Sequence, residues 1–145
     1  MFKKILCPLD FSESSVNALR YAVKLAVKDA ARLYLIYVED KIDYGGLRLG
    51  TEYSLDSETV EMLNKKLIDE IPEDAKNCIK SEILITAGNP ADEIIKAALD
   101  KEIDLIVMGT QGRTGIAHMV IGSVAENVIK KAHCPVLCVR KQVKM

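Results

Sequence analysis

The chain has 145 residues, 49% of them apolar, which suits one domain whose core needs neither disulfides nor a metal ion. Its formal net charge of −1 argues against a basic surface for nucleic acid or a membrane. No apolar run approaches the ~20 residues that span a bilayer, and Pro8 and Asp10 interrupt the N-terminal run too early for a signal peptide. We therefore expect a cytoplasmic protein.

Short apolar runs alternate with helical patterns along the whole chain. The runs are rich in β-branched and aliphatic residues and are bounded by polar residues, glycine or proline, as strands are. The predicted strands cover residues 3–9, 33–38, 81–86, 104–108 and 135–140. Strands that are nearly all apolar are typical of a parallel sheet covered on both faces.

Four segments between these runs carry apolar residues at helical spacing. Ser12, Asp56 or Ser57, and Asn89 are good capping residues at the starts of the first three, and Pro90 is tolerated in a first turn. The predicted helices cover about 12–30, 57–71, 89–99 and 122–132, whereas residues 39–55 show no regular period. Alternating strands and helices predict an α/β fold with an open, doubly wound parallel sheet.

A glycine motif joins the fourth strand to the last helix. It reads Gly109-Thr110-Gln111-Gly112, nine residues, then Gly122-Ser123. Phosphate sites are built between a strand and a helix N-terminus, where backbone amides and the positive end of the helix dipole face one spot. We expect Gly109 to turn the chain off the strand, Gly112 to adopt positive φ, and Ser123 to cap the helix. The spacing matches neither a Walker A loop nor the dinucleotide fingerprint.

This motif resembles the G-x2-G-x9-G-Ser/Thr signature of the universal stress protein family, in its ATP-binding branch. Three further stretches are similar to that family, namely residues 4–10, 88–94 and 134–139, so that the resemblance extends from Met1 to about Arg140. It implies a single domain over residues 1–145 with the Rossmann-like strand order 3-2-1-4-5 and helices on both faces.

With that order, strands 1 and 4 meet where the winding of the sheet reverses, which is where open α/β sheets bind ligands. The resemblance implies that Asp10 accepts from the adenine amine or a ribose hydroxyl, and that the backbone at Val38 contacts adenine. The implied nucleotide-binding residues are Pro8, Leu9, Asp10, Val38, Met108, Gly109, Gly112, Arg113, Gly122, Ser123 and Val124.

Other interpretations of these residues remain open. Asp10 also fits a helix cap for the segment at Ser12, Arg113 fits a solvated loop residue, and His118 has no partner in the sequence to make it a general base. Cys134 and Cys138 lie ~13 Å apart on an extended strand, too far for one zinc ion. We therefore predict no catalytic residue and no protein ligand to a metal.

We expect a nucleotide-responsive regulator that binds ATP, ADP or AMP, with Mg²⁺ or Mn²⁺ held through the phosphates. We also expect a homodimer formed through the last strand, residues 135–140, and a protein partner that the sequence does not identify. Two alternatives remain. A slow ATPase or phosphotransferase is disfavoured by the lack of a loop lysine, and a nucleotide-independent dimerisation module is disfavoured by the intact glycine motif.

Overall fold

Five parallel strands form a sheet in the order β3-β2-β1-β4-β5. The computed structural model describes residues 1–40, 55–111 and 121–141. The strands are β1 (Lys4–Pro8), β2 (Arg32–Asp40), β3 (Ser81–Gly88), β4 (Leu105–Gly109) and β5 (Val136–Val139). The predicted fold class and strand order are confirmed.

Helices connect successive strands, and three of them begin at the predicted capping residues. The helices are α1 (Glu13–Asp29), α2 (Ser57–Asp69), α3 (Glu73–Lys76), α4 (Pro90–Asp100) and α5 (Ser123–Lys131). Ser12, Asp56 and Asn89 are the N-caps of α1, α2 and α4, and each side chain accepts from the amide three residues on. The short α3 follows Pro72 and was not predicted, because four residues are too few to show a helical period.

Each face of the sheet has its own apolar core. α1 and α2 pack on one face, against residues such as Ile5, Leu35 and Val107. α4 and α5 pack on the other face, against residues such as Leu6 and Ile106. Side chains alternate between these faces along every strand, so a residue's position in its strand decides which core it joins.

None of the helices in the described ranges is long and apolar enough to cross a bilayer.

Candidate functional site

The winding of the sheet reverses between β1, which is the central strand, and its neighbour β4. β1 leads through α1 to β2 on one side, whereas the chain returns from β3 through α4 to β4 on the other side. Leu6 lies opposite Ile106 in the register, so the ends of both strands meet at one edge of the sheet. This is the edge at which we expected the ligand.

The register places several predicted site residues on one face, beneath α4 and α5. Val38, Met108 and Val124 all pack with the apolar core of that face. Pro8 lies two residues after Leu6, which belongs to the same core, so strand alternation directs Pro8 to this face as well. The four side chains therefore lie on the same face of the sheet.

Leu9 lies on the opposite face. Its side chain is 2% exposed and belongs to the core beneath α1 and α2. Its amide donates to the carbonyl oxygen of Ile36 at 2.9 Å. Any contact that Leu9 makes to a ligand on the α4 and α5 face must come from its backbone.

Asp10 follows directly and is held in a defined orientation. Its Oδ1 accepts from the backbone amide of Ser12 at 2.9 Å, and its own amide lies 3.4 Å from Ser15 Oγ. Ser12, not Asp10, is the N-cap of α1, so the helix-cap interpretation of Asp10 is wrong. Among the described residues Oδ2 has no hydrogen-bond partner, which leaves one carboxylate oxygen to accept from a ligand.

Phe11 is a feature that the sequence analysis missed. It adopts φ of 66°, a left-handed conformation that is uncommon for a bulky residue. Its ring centroid lies 5.9 Å from that of Tyr37, and Lys66 Nζ lies 4.1 Å above the ring. These contacts offset the backbone strain and hold the turn that carries Asp10.

The start of the glycine motif is packed against the N-terminus of α1. A Cβ at Gly109 would lie 2.5 Å from Ser14 Oγ and 2.7 Å from the backbone nitrogen of Ser15. Gly109 is therefore required for the close approach of α1, which was not predicted, and its predicted role in turning the chain stays a prediction. Ser14 Oγ then donates to the carbonyl oxygen of Gln111 at 2.6 Å, which holds the chain against α1 as it leaves β4.

The second end of the glycine motif, at Gly122, is attached to the chain just after β4. The amide of Gly122 donates to the carbonyl oxygen of Thr110, and the amide of Thr110 donates to Val139 in β5 at 3.0 Å. The start of α5 is thus anchored to the carboxyl end of β4. Gly112, Arg113 and His118 lie outside the described residues, so the predictions for them stay predictions.

The first turn of α5 differs from those of the other long helices. Its N-cap is Gly122, and within the described residues no side chain caps it, whereas α1, α2 and α4 each have a capping side chain. Ser123 is the exposed first residue of the helix, so its predicted role as the cap is wrong. The first amides of a helix lack intrahelical acceptors, and no side chain of the described residues accepts from them at the start of α5.

The cysteines do not form a reactive or metal-binding centre at this edge. Burial raises the pKa of Cys7 to about 12, so its thiol stays protonated at neutral pH. Burial also raises the pKa of the half-buried Cys138. Across residues 1–40, 55–111 and 121–141, no three His, Cys, Asp or Glu side chains are grouped closely enough to hold a metal ion.

Comparison with known proteins agrees with this architecture. Residues 1–140 match the universal stress protein family. Universal stress protein MJ0531 of Methanocaldococcus jannaschii is 39% identical over 145 residues, which cover 99% of this chain and 85% of that protein. The solved structure of MJ0577 from the same organism superposes with a TM-score of 0.82 at 34% identity, over 99% of both chains.

A more distant solved structure, the universal stress protein from Archaeoglobus fulgidus in complex with dAMP, has a TM-score of 0.64 at 22% identity. The match covers 96% of this chain and 98% of that one, and at this identity it shows a shared fold. The match over residues 1–140, together with a relative 39% identical over nearly the full length, shows that the chain belongs to the universal stress protein family.

Proposed function

We propose that this protein binds an adenine nucleotide, ATP or one of its products ADP and AMP, and acts as a nucleotide-responsive regulator in the stress response. One observation carries the proposal. The first turn of α5, which no side chain of the described residues caps, is attached through Thr110 to the carboxyl end of β4, where the winding of the sheet reverses. Backbone amides at such a point form an anion site without any charged side chain.

The phosphates would lie at the first turn of α5. The amide of Gly122 is already bonded to Thr110, so the donors are the next amides along the helix, beginning with Ser123. Gly122 contributes instead by having no side chain where phosphate oxygens approach. Gly109, Gly112 and Arg113 complete the proposed phosphate side, as the motif predicts.

The adenosine would extend from there along the strand ends. Pro8, Met108 and Val124 provide apolar contact on the α4 and α5 face, and Val38 continues that surface. The available Oδ2 of Asp10 is an acceptor at the end of β1, and Leu9 contributes through its backbone. Apolar walls with a few oriented polar groups are the usual composition of a small-molecule site.

The proposal includes a metal ion and a cellular location. Mg²⁺ or Mn²⁺ would be bound through phosphate oxygens and water, because Mg²⁺ is commonly held through substrate phosphates. We place the protein in the cytoplasm, where its proposed ligand is abundant.

The relatives support this ligand class without extending it to this chain. One protein of the same fold was solved in complex with dAMP and another in complex with cAMP. Both are under 25% identical to this chain, so they show only that the fold can accommodate an adenine nucleotide.

We also propose a homodimer formed through β5. This strand pairs with β4 on one side and is the edge of the sheet, and Leu137 within it is 40% exposed. An edge strand presents unpaired amide and carbonyl groups, and pairing with the same strand of a second copy satisfies them around a two-fold axis.

The direct test of the ligand is to denature the purified protein by heat and analyse the released small molecules. We expect that an adenine nucleotide is released, or that the protein, if purified without nucleotide, binds added ATP. If no nucleotide is released and ATP added with Mg²⁺ does not bind, the protein is a nucleotide-independent module. Rapid turnover of excess ATP would instead identify an enzyme.

A further inference from the structure

Thr86 in β3 carries a buried hydroxyl that neither the glycine motif nor the family resemblance explains. Its Oγ1 is shielded from solvent and has no hydrogen-bond partner among the described residues. The residue as a whole is half-buried, so its exposed surface belongs to its other atoms. Buried polar atoms are nearly always hydrogen-bonded, and an exception requires an explanation.

The register places Thr86 beside the proposed adenosine site. Thr86 lies directly opposite Val38, and both are two residues from the ends of their strands. Leu84, two residues earlier in β3, packs with the core beneath α4 and α5. Strand alternation therefore directs the Thr86 side chain to the same face as Val38.

Folding alone does not favour threonine at this position. Valine has nearly the same shape and would leave no unpaired hydroxyl on a face that is otherwise apolar. Rotation about χ1 exchanges the hydroxyl and the methyl group of threonine, so the hydroxyl can reach the exposed part of this half-buried residue. A ligand there would provide the missing partner.

The order of the strands indicates which part of a nucleotide reaches Thr86. With phosphates at α5, beside β4, the ligand extends across β1 and β2 toward β3, and three strand spacings measure about 14 Å. The ribose follows the phosphates, and the base comes last. The exocyclic amine of adenine is on the end of the base that is farthest from the ribose.

We propose that the Thr86 hydroxyl accepts a hydrogen bond from the exocyclic amine of adenine, an inference that rests on the proposed function. Asp10, one strand nearer the phosphates than Val38, then accepts from the ribose. Thr86 is thus a residue that determines base specificity. It resolves the alternative between adenine and ribose that the sequence left open for Asp10.

A double cycle of protein and ligand changes tests this contact. ATP and its 6-deamino analogue, purine riboside triphosphate, are titrated by calorimetry into the wild type, Thr86→Val and Thr86→Ser. The valine variant should bind ATP about three- to tenfold more weakly and bind the analogue within about twofold of wild type. Thr86→Ser, which keeps the hydroxyl, should restore ATP affinity, and the thermal midpoint of Thr86→Val should equal or exceed that of wild type.

Equal loss for both ligands, with a lower thermal midpoint in the valine variant, would show that the hydroxyl is structural and would overturn the inference. Unchanged ATP affinity in the valine variant would also overturn it, and would leave the proposed function standing. A wild type that binds neither ligand would refute the proposed function, and this inference with it.

Discussion

Asp10 has one carboxylate oxygen bonded to the Ser12 amide and one that has no partner among the described residues. The bond from the Ser12 amide to Oδ1 and the left-handed backbone of Phe11 together fix the direction of the carboxyl group. A group held in place before the ligand arrives loses less conformational entropy on binding. This orientation fits the proposed role of Asp10 in recognising the adenosine.

We expect Asp10→Ala to weaken binding of ATP and AMP by the same factor, about tenfold or more, because both ligands carry the same adenosine. Calorimetry with the two nucleotides measures this. Asp10→Asn is the matched control, since it keeps an oxygen that can accept from Ser12. If AMP affinity were unchanged and only ATP affinity fell, Asp10 would belong to the phosphate side of the site.

Gly109 is required by packing, whether or not a ligand is bound. Its missing Cβ leaves room for the backbone of Ser14 and Ser15, which would otherwise lie 2.7 Å away. Gly109→Ala should therefore lower the free energy of unfolding by about 1–3 kcal/mol, because backbone atoms cannot move aside as a flexible side chain can. Urea denaturation measures this, and an unchanged midpoint would contradict the close approach.

Some features of these residues could be predicted from the sequence and others could not. The glycine pattern identified Gly109, but not its packing partner, because Ser14 is nearly 100 residues away in the chain. Nothing in the sequence predicted φ of 66° at Phe11, since phenylalanine rarely adopts it. Thr86 was missed because an unpartnered hydroxyl is visible only when its neighbours are known.

At the scale of elements, the site depends on two helix N-termini that meet at the end of β4. α1 is capped by Ser12 and contacts the start of the glycine motif, whereas α5 has no capping side chain among the described residues and follows its end. One helix therefore holds the chain in place, and the other provides the amides that we propose bind the phosphates.

The Ser14 hydroxyl is the main side-chain contact between α1 and the motif. Ser14 is 2% exposed. Its hydroxyl donates to the Gln111 carbonyl oxygen and accepts from the Gln111 amide at 3.3 Å. Ser14→Ala should lower the free energy of unfolding by about 1–3 kcal/mol. The exposed Ser57→Ala, in α2, should change it by less than about 0.5 kcal/mol. Equal effects of the two variants in urea denaturation would contradict this role.

The positions of these elements were largely predictable, because caps and apolar periods are local signals. The exact residues at which the helices and strands end were less predictable. β2 was predicted to end at Val38 but continues to Asp40, where Glu39 and Asp40 pair with Ala87 and Gly88 of β3. Backbone pairing does not depend on apolar side chains, so the polar residues gave no sign of it.

At the scale of the molecule, the strand order was predictable only through the family resemblance. Apolar patterns indicate that a parallel sheet forms but not which strands are neighbours, since that depends on crossovers between distant segments. Once the order was known, the meeting of β1 and β4, and with it the location of the proposed site, followed from topology.

The edge position of β5 leads to a prediction about assembly. Leu137 is 40% exposed, and Tyr21 of α1, 49% exposed, lies in the same groove. Leu137→Lys should favour the monomer, because burying an unpaired charge at an interface is costly. Val139 is a poor choice for this test, since it is 8% exposed and belongs to the core.

Sedimentation velocity across a range of protein concentrations measures the effect. Leu99→Lys is the control, because Leu99 is similarly exposed but lies on α4. The control should remain dimeric. A wild type that is monomeric at high micromolar concentration, with or without ATP, would contradict the dimer.

The central claim, that the first turn of α5 holds nucleotide phosphates, is tested most directly by calorimetric titration of ATP into Gly122→Val. Gly122 has φ of −76° and ψ of 166°, a conformation that valine adopts readily, so the fold should survive. The branched side chain should lower ATP affinity about tenfold or more, whereas Asn127→Val, exposed one turn further along α5, should leave it unchanged. Equal ATP affinity in Gly122→Val and wild type would contradict the claim.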